Sequence, residues 1–147
     1  MDTASPLKRR LVEALYEEAM FLADEARAYF DEHGQDDRNK MEPLLRVGFS
    51  CESLKVTARL MHVIAWLLVQ RAVDAGEIST SDARQPARRL GHASASEPDI
   101  VGQLPEDAQN LIAQSNQLYE RVRRLDAGMS LSESPAQSLM RRLETSL

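Results

Sequence analysis

The 147-residue chain contains one cysteine, Cys51, so it cannot form an internal disulfide. A single thiol is typical of proteins from a reducing compartment, and we expect a cytoplasmic location. Aromatic residues make up only 5 % of the chain, which leaves few rings on which nucleic-acid bases could stack. The formal net charge of −5 is also unfavourable for a nucleic-acid binder, because phosphate groups are bound by basic surfaces.

The chain also lacks an apolar run long enough to cross a bilayer. Its longest run, VIAWLLV, covers residues 63–69, whereas a membrane span needs about 20 apolar residues. Arg59, His62, Gln70 and Arg71 flank this run closely. The first twenty residues mix acidic with apolar side chains, unlike a secretory signal. These patterns predict a buried helix and no membrane span.

Catalytic and cofactor-binding motifs are missing. The sequence contains no GxGxxG, GxxxxGK[ST] or GxSxG. The Glu-x-x-His pairs of di-iron bundles are absent, and the three histidines and Cys51 are not at zinc-ligand spacing. We therefore predict no catalytic, cofactor-binding or metal-binding residues, and a protein that is not an enzyme. A single domain of ordinary composition that lacks such machinery most often works by binding other proteins.

Helical periodicity dominates what is present. A first helix should begin at Ser5 and Pro6, which suit the N-cap and the first helical position. It should end near Gly34, with GQDDRNK as an exposed loop. A third helix should begin near Leu104 and Pro105 and end at Gly128. The expected core positions are Leu11, Leu15, Leu22, Ala26 and Tyr29 in the first helix, and Ala108, Leu111, Ser115, Leu118, Val122 and Leu125 in the third.

The second helix, from about residue 42 to Gly76, has the strongest pattern. A heptad seam recurs without a break over four repeats, and its positions are Leu44, Val47, Cys51, Leu54, Ala58, Met61, Ala65, Leu68 and Ala72. We expect this seam to pack inside the protein, with Cys51 as a small buried structural residue. Gly48 suggests a bend or a close contact. Because a second apolar face appears toward the C-terminal half, a partner chain should cover the surplus. The candidates for core and interface on that face are Leu60, Val63, Trp66, Leu67 and Val73.

The expected fold class is all-α: an antiparallel three-helix bundle with a long central helix, spanning residues 1–128. Residues 77–103 form a connector rich in Ser, Ala, Pro, Gly and Arg, long enough to be functional or mobile. Residues 129–147 should form a short amphipathic helix or a flexible tail. Its apolar face, a candidate partner-binding surface, consists of Leu139, Met140, Leu143 and Leu147.

Two stretches resemble the alphaproteobacterial regulator-of-CtrA-degradation (RcdA) family. The first is CESLKVTARLMHVIAWLLVQRAVDAGEIS, residues 51–79, and the second is LPEDAQNLIAQSNQLYERVRRLD, residues 104–126. The resemblance spans most of residues 8–127 and is most specific over the second helix. The connector and the tail depart from it most.

This resemblance implies a dimeric three-helix bundle that acts as an adaptor for the ClpXP protease. Its implied partners are the ClpX protease complex, a response-regulator-type priming factor and cargo proteins that regulate the cell cycle, with possible concentration at the cell pole. Two other hypotheses remain open from the residues themselves. The arginine pairs would suit a DNA-associated helical regulatory protein, and Cys51 or a histidine could serve a small helical enzyme.

Overall fold

The computed structural model describes residues 6–130 and residue 143. Three long helices form the bundle: α1 (Pro6–Ala28), α3 (Pro43–Asp74) and α6 (Glu106–Ser130). Shorter elements are a π-helical turn (Tyr29–His33), α2 (Gly34–Asn39), α4 (Thr80–Ala83), a 3-10 turn (Pro86–Arg88) and α5 (Pro98–Val101). The described residues contain no strand, and α3 is the longest helix at 32 residues. The predicted all-α bundle with a long central helix is confirmed.

The core lies where the three long helices meet. α6 contributes the face that its periodicity predicts, with Ala108, Leu111, Ser115, Leu118 and Val122 buried and Leu125 packed at the margin. α1 contributes Val12, Leu15, Ala19, Leu22, Ala26 and Tyr29. Leu11, predicted to face the core, remains 41 % exposed. Its neighbour Val12 takes the inward position instead, three residues before the buried Leu15.

The first helical segment does not end at Gly34. The chain continues through the π-helical turn into α2, and Gly34 has a helical φ of −68°. A side chain at this position would meet the Tyr29 carbonyl oxygen at 3.0 Å and the Phe49 ring at 3.2 Å. Gly34 is therefore a close-packing residue, and most of the predicted GQDDRNK loop is helical. Tyr29, Phe30 and Phe49 form an edge-to-face aromatic cluster beside this turn.

The ends of α3 and the start of α4 follow their local chemistry. α3 stops as predicted at Gly76, whose φ of +75° is readily adopted only by glycine. The Gly76 amide donates to the Val73 carbonyl and the Glu77 amide to the Ala72 carbonyl, which is the Schellman arrangement. The Ser79 hydroxyl then caps α4 by accepting the Asp82 amide at 3.0 Å.

Helix directions follow from the contacts between distant residues. Glu13 pairs with Arg71 and Glu18 with Arg121, so α1 is antiparallel to both other helices. Arg59 bonds to Ser115 and Trp66 to Asp126, so α3 and α6 run parallel to each other. The predicted antiparallel arrangement therefore holds for α1 and not for the pair of α3 and α6. Parallel neighbours need a connection that returns along their length, and the connector provides it; in the structure it covers residues 75–105, between the end of α3 and the start of α6.

The connector is fastened to α3 and α6 by three groups of polar contacts. Asp126 accepts the Trp66 indole N–H at 2.9 Å and a two-pronged contact from Arg89, Nε to Oδ1 at 2.7 Å and Nη2 to Oδ2 at 2.9 Å. These bonds to Asp126 raise the pKa of Arg89. The Tyr119 hydroxyl donates to the Gly91 carbonyl at 2.7 Å and accepts the Ala93 amide at 3.2 Å.

The third group centres on Arg59, which is 1 % exposed. Its guanidinium donates to the Ser115 hydroxyl at 3.2 Å, the Ser94 carbonyl at 3.0 Å and the Ser96 hydroxyl at 2.8 Å. Burial lowers the pKa of Arg59, and the nearby Glu52 carboxylate partly opposes that shift. These three acceptors are neutral, and the connector supplies two of them, so it provides much of what replaces the hydration of this cation.

We expect Gly48→Ala to destabilise the protein, although alanine is the better helix former. The added Cβ would lie 2.7 Å from Ile100 Cγ2 on α5, whereas at Gly128, another helical glycine, it would meet nothing within 4 Å. Overpacking costs about 1–3 kcal/mol, against a propensity gain of about 1 kcal/mol. Urea unfolding should show a net loss for Gly48→Ala and a gain for the control, Gly128→Ala. Equal gains at both positions would contradict the close contact.

We expect Asp126→Asn to loosen the connector. The substitution removes the charge that Arg89 contacts at two points, and hydrogen bonds to charged groups contribute about 1.5–3 kcal/mol. Urea unfolding should show a loss of this order, and hydrogen exchange should accelerate at residues 89–96. Glu120→Gln, which removes an exposed pair with Arg123, is the matched control and should change stability by less than about 1 kcal/mol.

Candidate protein-interaction surface

An exposed apolar stripe runs along α3 on the side opposite the core. We define the stripe as Leu44, Val47, Cys51, Leu54, Ala58, Met61, Ala65 and Leu68. Leu44 is 86 % exposed, Leu54 69 % and Met61 65 %. Exposed apolar surface of this length is uncommon on a monomer and marks an interaction site. It is the clearest functional feature among the residues that the structure describes.

The stripe is the heptad seam without Ala72, which is half-buried, so the expectation that the seam packs inside the bundle was wrong. The face of α3 that points inward instead carries Phe49, Val56, Leu60, Val63, Trp66 and Leu67, together with the buried polar residues Glu52, Arg59 and Gln70. Arg59 can lie inward because α6 and the connector supply its hydrogen-bond partners, and Glu52 accepts from Lys55 on its own helix. The apolar surplus predicted for α3 is present, but on the other side of the helix.

Four of the five residues predicted as candidates for the core and the interface lie in the core. Leu60, Val63, Trp66 and Leu67 are each at most 3 % exposed, so they belong to the core and offer no surface to a partner. Val73 is half-buried near the end of α3. Trp66 is further fixed by its indole bond to Asp126.

Cys51 is exposed, contrary to the prediction of a buried structural residue. Cys51 is exposed because it lies on the stripe, which points away from the core. Its small side chain leaves room there for an approaching helix. Exposure alone does not make a nucleophile, which also needs a lowered pKa and a neighbouring base. Within residues 6–130 and at residue 143, no group of three or more His, Cys, Asp or Glu side chains could hold a metal ion.

Charge is divided unevenly between the two ends of the bundle. The acidic end comprises residues 24–46 and 97–107, which contain eleven carboxylates and four basic side chains. The carboxylates are Asp24, Glu25, Asp31, Glu32, Asp36, Asp37, Glu42, Glu97, Asp99, Glu106 and Asp107. One of them, Asp37, accepts the Tyr29 hydroxyl at 2.8 Å. Burial and this bond raise the pKa of Tyr29.

The mixed end comprises residues 6–18, 68–89 and 117–126, with ten basic and eight acidic side chains. Several of its arginines are paired with carboxylates: Arg71 with Glu13, Arg89 with Asp126, Arg121 with Glu18 and Arg123 with Glu120. Two of these pairs join α1 to another helix, Arg71–Glu13 and Arg121–Glu18, and Arg89–Asp126 joins the connector to α6, so these arginines are already engaged by carboxylates.

A groove of about 350 Å³ lies between α1 and α3 beside the stripe. Ala23, Phe30, Thr57 and Ile64 line it, and Met61 belongs to both the groove and the stripe. The groove therefore extends the apolar surface from α3 toward α1.

By length and composition alone, α3 could cross a membrane, and 44 % of the apolar window is buried in the bundle. Such a helix is weak evidence for a span because the core helix of a soluble protein passes the same test. The stripe contributes the exposed residues of this window, and the core residues of α3 contribute the buried ones.

Of the predicted tail residues, only Leu143 falls in the part of the chain that the structure describes. It is helical and 55 % exposed. Leu139, Met140 and Leu147 lie outside the described residues.

Comparisons with known proteins agree with the architecture. A family described as "Protein of unknown function (DUF1465)" matches residues 3–147. A search of curated proteins finds no match. Among solved structures, the crystal structure of RcdA from Caulobacter crescentus CB15 is similar, with 36 % sequence identity and a TM-score of 0.68. The match covers 84 % of this chain and 93 % of that one. The chain belongs to the RcdA family.

Proposed function

We propose that the protein is a non-catalytic adaptor or scaffold that helps deliver cell-cycle regulators to the ClpXP protease. The observation that carries this proposal is the match to RcdA over 84 % of the chain. The molecule's own features suit the role, because the stripe offers an apolar docking surface on a bundle held rigid by its connector. Adaptors act by bringing proteins together and need no catalytic residues of their own.

The proposed partners follow from the family. They are the ClpX protease complex, a response-regulator-type priming factor and cargo proteins, met in the cytoplasm and concentrated at the cell pole. A DNA-associated regulatory role is less well supported, because phosphate contacts require available basic side chains and several arginines at the mixed end already pair with carboxylates.

We further propose that the protein is a homodimer and that its interface is the stripe rather than the inward face of α3. Four of the five candidates on that face are buried in the core, whereas the stripe exposes Val47, Leu54, Met61 and Leu68 by 46–69 %. Burying apolar area of this kind contributes about 25 cal/mol per Å² before the costs of association.

The adaptor role predicts faster proteolysis in a purified system. Adding the protein to ClpXP, the priming response regulator and a candidate cargo such as CtrA should shorten the cargo's half-life several-fold, because a tethered cargo is presented at a high effective concentration. A substrate that ClpXP degrades unaided serves as the control and should be degraded at an unchanged rate. Identical half-lives for every candidate cargo, with and without the protein, would contradict the proposal.

The homodimer predicts a specific sensitivity to charge on the stripe. Leu54→Asp should give monomers in sedimentation velocity at micromolar concentration, because each dimer would bury two unpaired carboxylates. Phe21→Asp is the matched control, since Phe21 is 66 % exposed on α1, and it should leave the dimer intact. Both variants should keep the far-ultraviolet circular dichroism of the parent. If Leu54→Asp dimerises like the parent, the stripe is not the interface.

For residues 129–147 we propose a partner-binding role, in which Leu139, Met140, Leu143 and Leu147 dock into a groove of a partner protein. A chain ending at Gly128 should keep its thermal stability and lose capture of at least one partner in pull-downs. The full-length chain with Leu139, Leu143 and Leu147 replaced by serine should behave in the same way. A truncated chain that melts earlier but retains every partner would mean that the segment only covers its own bundle.

A further inference from the structure

We infer that a second exposed face of the bundle, on α1, binds an amphipathic helix of a partner protein whose polar flank is basic. The inference rests on the proposed adaptor role and specifies a surface for one of its partners. In the proposed homodimer the other copy covers the stripe, so a further partner needs apolar surface elsewhere. We call this surface the α1 face, and it consists of Leu7, Leu11, Ala14, Phe21, Glu25 and Ala28.

The residues of the α1 face follow a heptad spacing. From Leu7 to Ala28 they alternate steps of four and three residues, with Glu18 at the remaining position, so they lie in one line along the helix. Leu7 is 76 % exposed and Phe21 66 %. The line is about 32 Å long at 1.5 Å per residue. Anchors at this spacing and over this length are those that an amphipathic helix uses when it docks along another helix.

The α1 face borders α6 and lies away from the stripe. Glu18, in line with the face, pairs with Arg121 of α6 at 2.9 Å. The side of α1 that turns toward the stripe carries other residues, because Ala23 and Arg27 line the groove between α1 and α3. A helix bound to the α1 face would therefore not compete with a second copy of the chain bound to the stripe.

The C-terminal part of the α1 face opens into a groove lined by carboxylates. The groove has a volume of about 380 Å³ and lies between the end of α1 and the start of α6. Glu25 and Asp107 line it, and both are exposed. Within residues 6–130, neither of these carboxylates forms a salt bridge. The groove belongs to the acidic end of the bundle, so its charge favours basic ligands.

Charge selects the class of partner. Nucleic acids and anionic lipid surfaces carry the same sign of charge as this groove and would be repelled. A helix with an apolar side and a basic flank is complementary in both respects. Its apolar residues would cover Leu7, Leu11 and Phe21, while lysine or arginine side chains near one end would pair with Glu25 and Asp107.

Two designed peptides test this class of partner. Both carry leucine at heptad spacing over about 21 residues, with lysine at the polar positions of one and glutamate at those of the other. Fluorescence anisotropy with the full-length protein should give a dissociation constant at least about tenfold lower for the lysine peptide. Phe21→Ser should weaken its binding about tenfold, as loss of a central aromatic anchor does. Leu54→Ser is the matched control, since Leu54 is 69 % exposed on the stripe, and it should retain the affinity.

Glu25→Gln tests the part played by charge. It should weaken binding of the lysine peptide several-fold and reduce the dependence of the affinity on salt, because one carboxylate contact is lost. Asp31→Asn is the control, since Asp31 is an exposed carboxylate beside the groove between α1 and α3, and it should leave the affinity unchanged. Equal weakening by both substitutions would show a general attraction to an acidic protein and would overturn the inference.

Other occupants of the α1 face give different results. If a chain ending at Gly128 binds the lysine peptide much more tightly than the full-length chain, the C-terminal segment occupies the face. If Phe21→Ser sediments as a monomer, the face lies between two copies. Either result overturns the inference, as does unchanged affinity in Phe21→Ser or a loss confined to Leu54→Ser.

The proteolysis assay connects the α1 face with the adaptor role. Phe21→Ser should remain a dimer and lose the acceleration of cargo degradation that the parent produces, whereas full acceleration by Phe21→Ser would overturn the inference and leave the adaptor role intact. A parent that accelerates no cargo would contradict the adaptor role, and peptide binding would still test the α1 face by itself.

Discussion

The arrangement of the bundle depends on the polar contacts that hold the connector against α3 and α6. A buried guanidinium such as that of Arg59 is costly unless its hydrogen bonds are replaced, and residues 94–96 of the connector replace two of them. Asp126 of α6 accepts hydrogen bonds from both Trp66 of α3 and Arg89 of the connector, so it links all three elements. These contacts require the connector to follow one path, and that path places α3 and α6 side by side in the same direction.

A helix that packs into the core on one side and presents an apolar surface on the other must carry apolar residues on both sides, and α3 does. Its inner face combines large apolar side chains with Glu52, Arg59 and Gln70, while its outer face is almost wholly apolar. The usual relation between polarity and exposure is therefore partly reversed in this helix. At Arg59 the reversal is stabilised by α6 and the connector, which provide the hydrogen-bond partners of the guanidinium.

Local chemistry predicted the elements of the fold well, and long-range contacts set what it missed. Pro6 and Gly76 mark helix ends through backbone geometry that a few neighbouring residues determine, and the core face of α6 follows from its periodicity. The sequence indicated two apolar faces on α3, but the wrong one was predicted to turn inward, because Arg59 looks like a surface residue until the connector supplies its hydrogen-bond partners. Gly34 was misread for a similar reason: the Phe49 ring that requires a glycine there belongs to another helix.

The mixed end is also where α1 begins and α6 finishes, as the pairing of Glu18 with Arg121 and of Trp66 with Asp126 shows. A group fused directly before α1 and a group fused directly after α6 would therefore occupy the same region of space. The tight turn between α2 and α3 lies at the opposite pole, near Met41, and is the better site for an inserted label or a permuted chain opening.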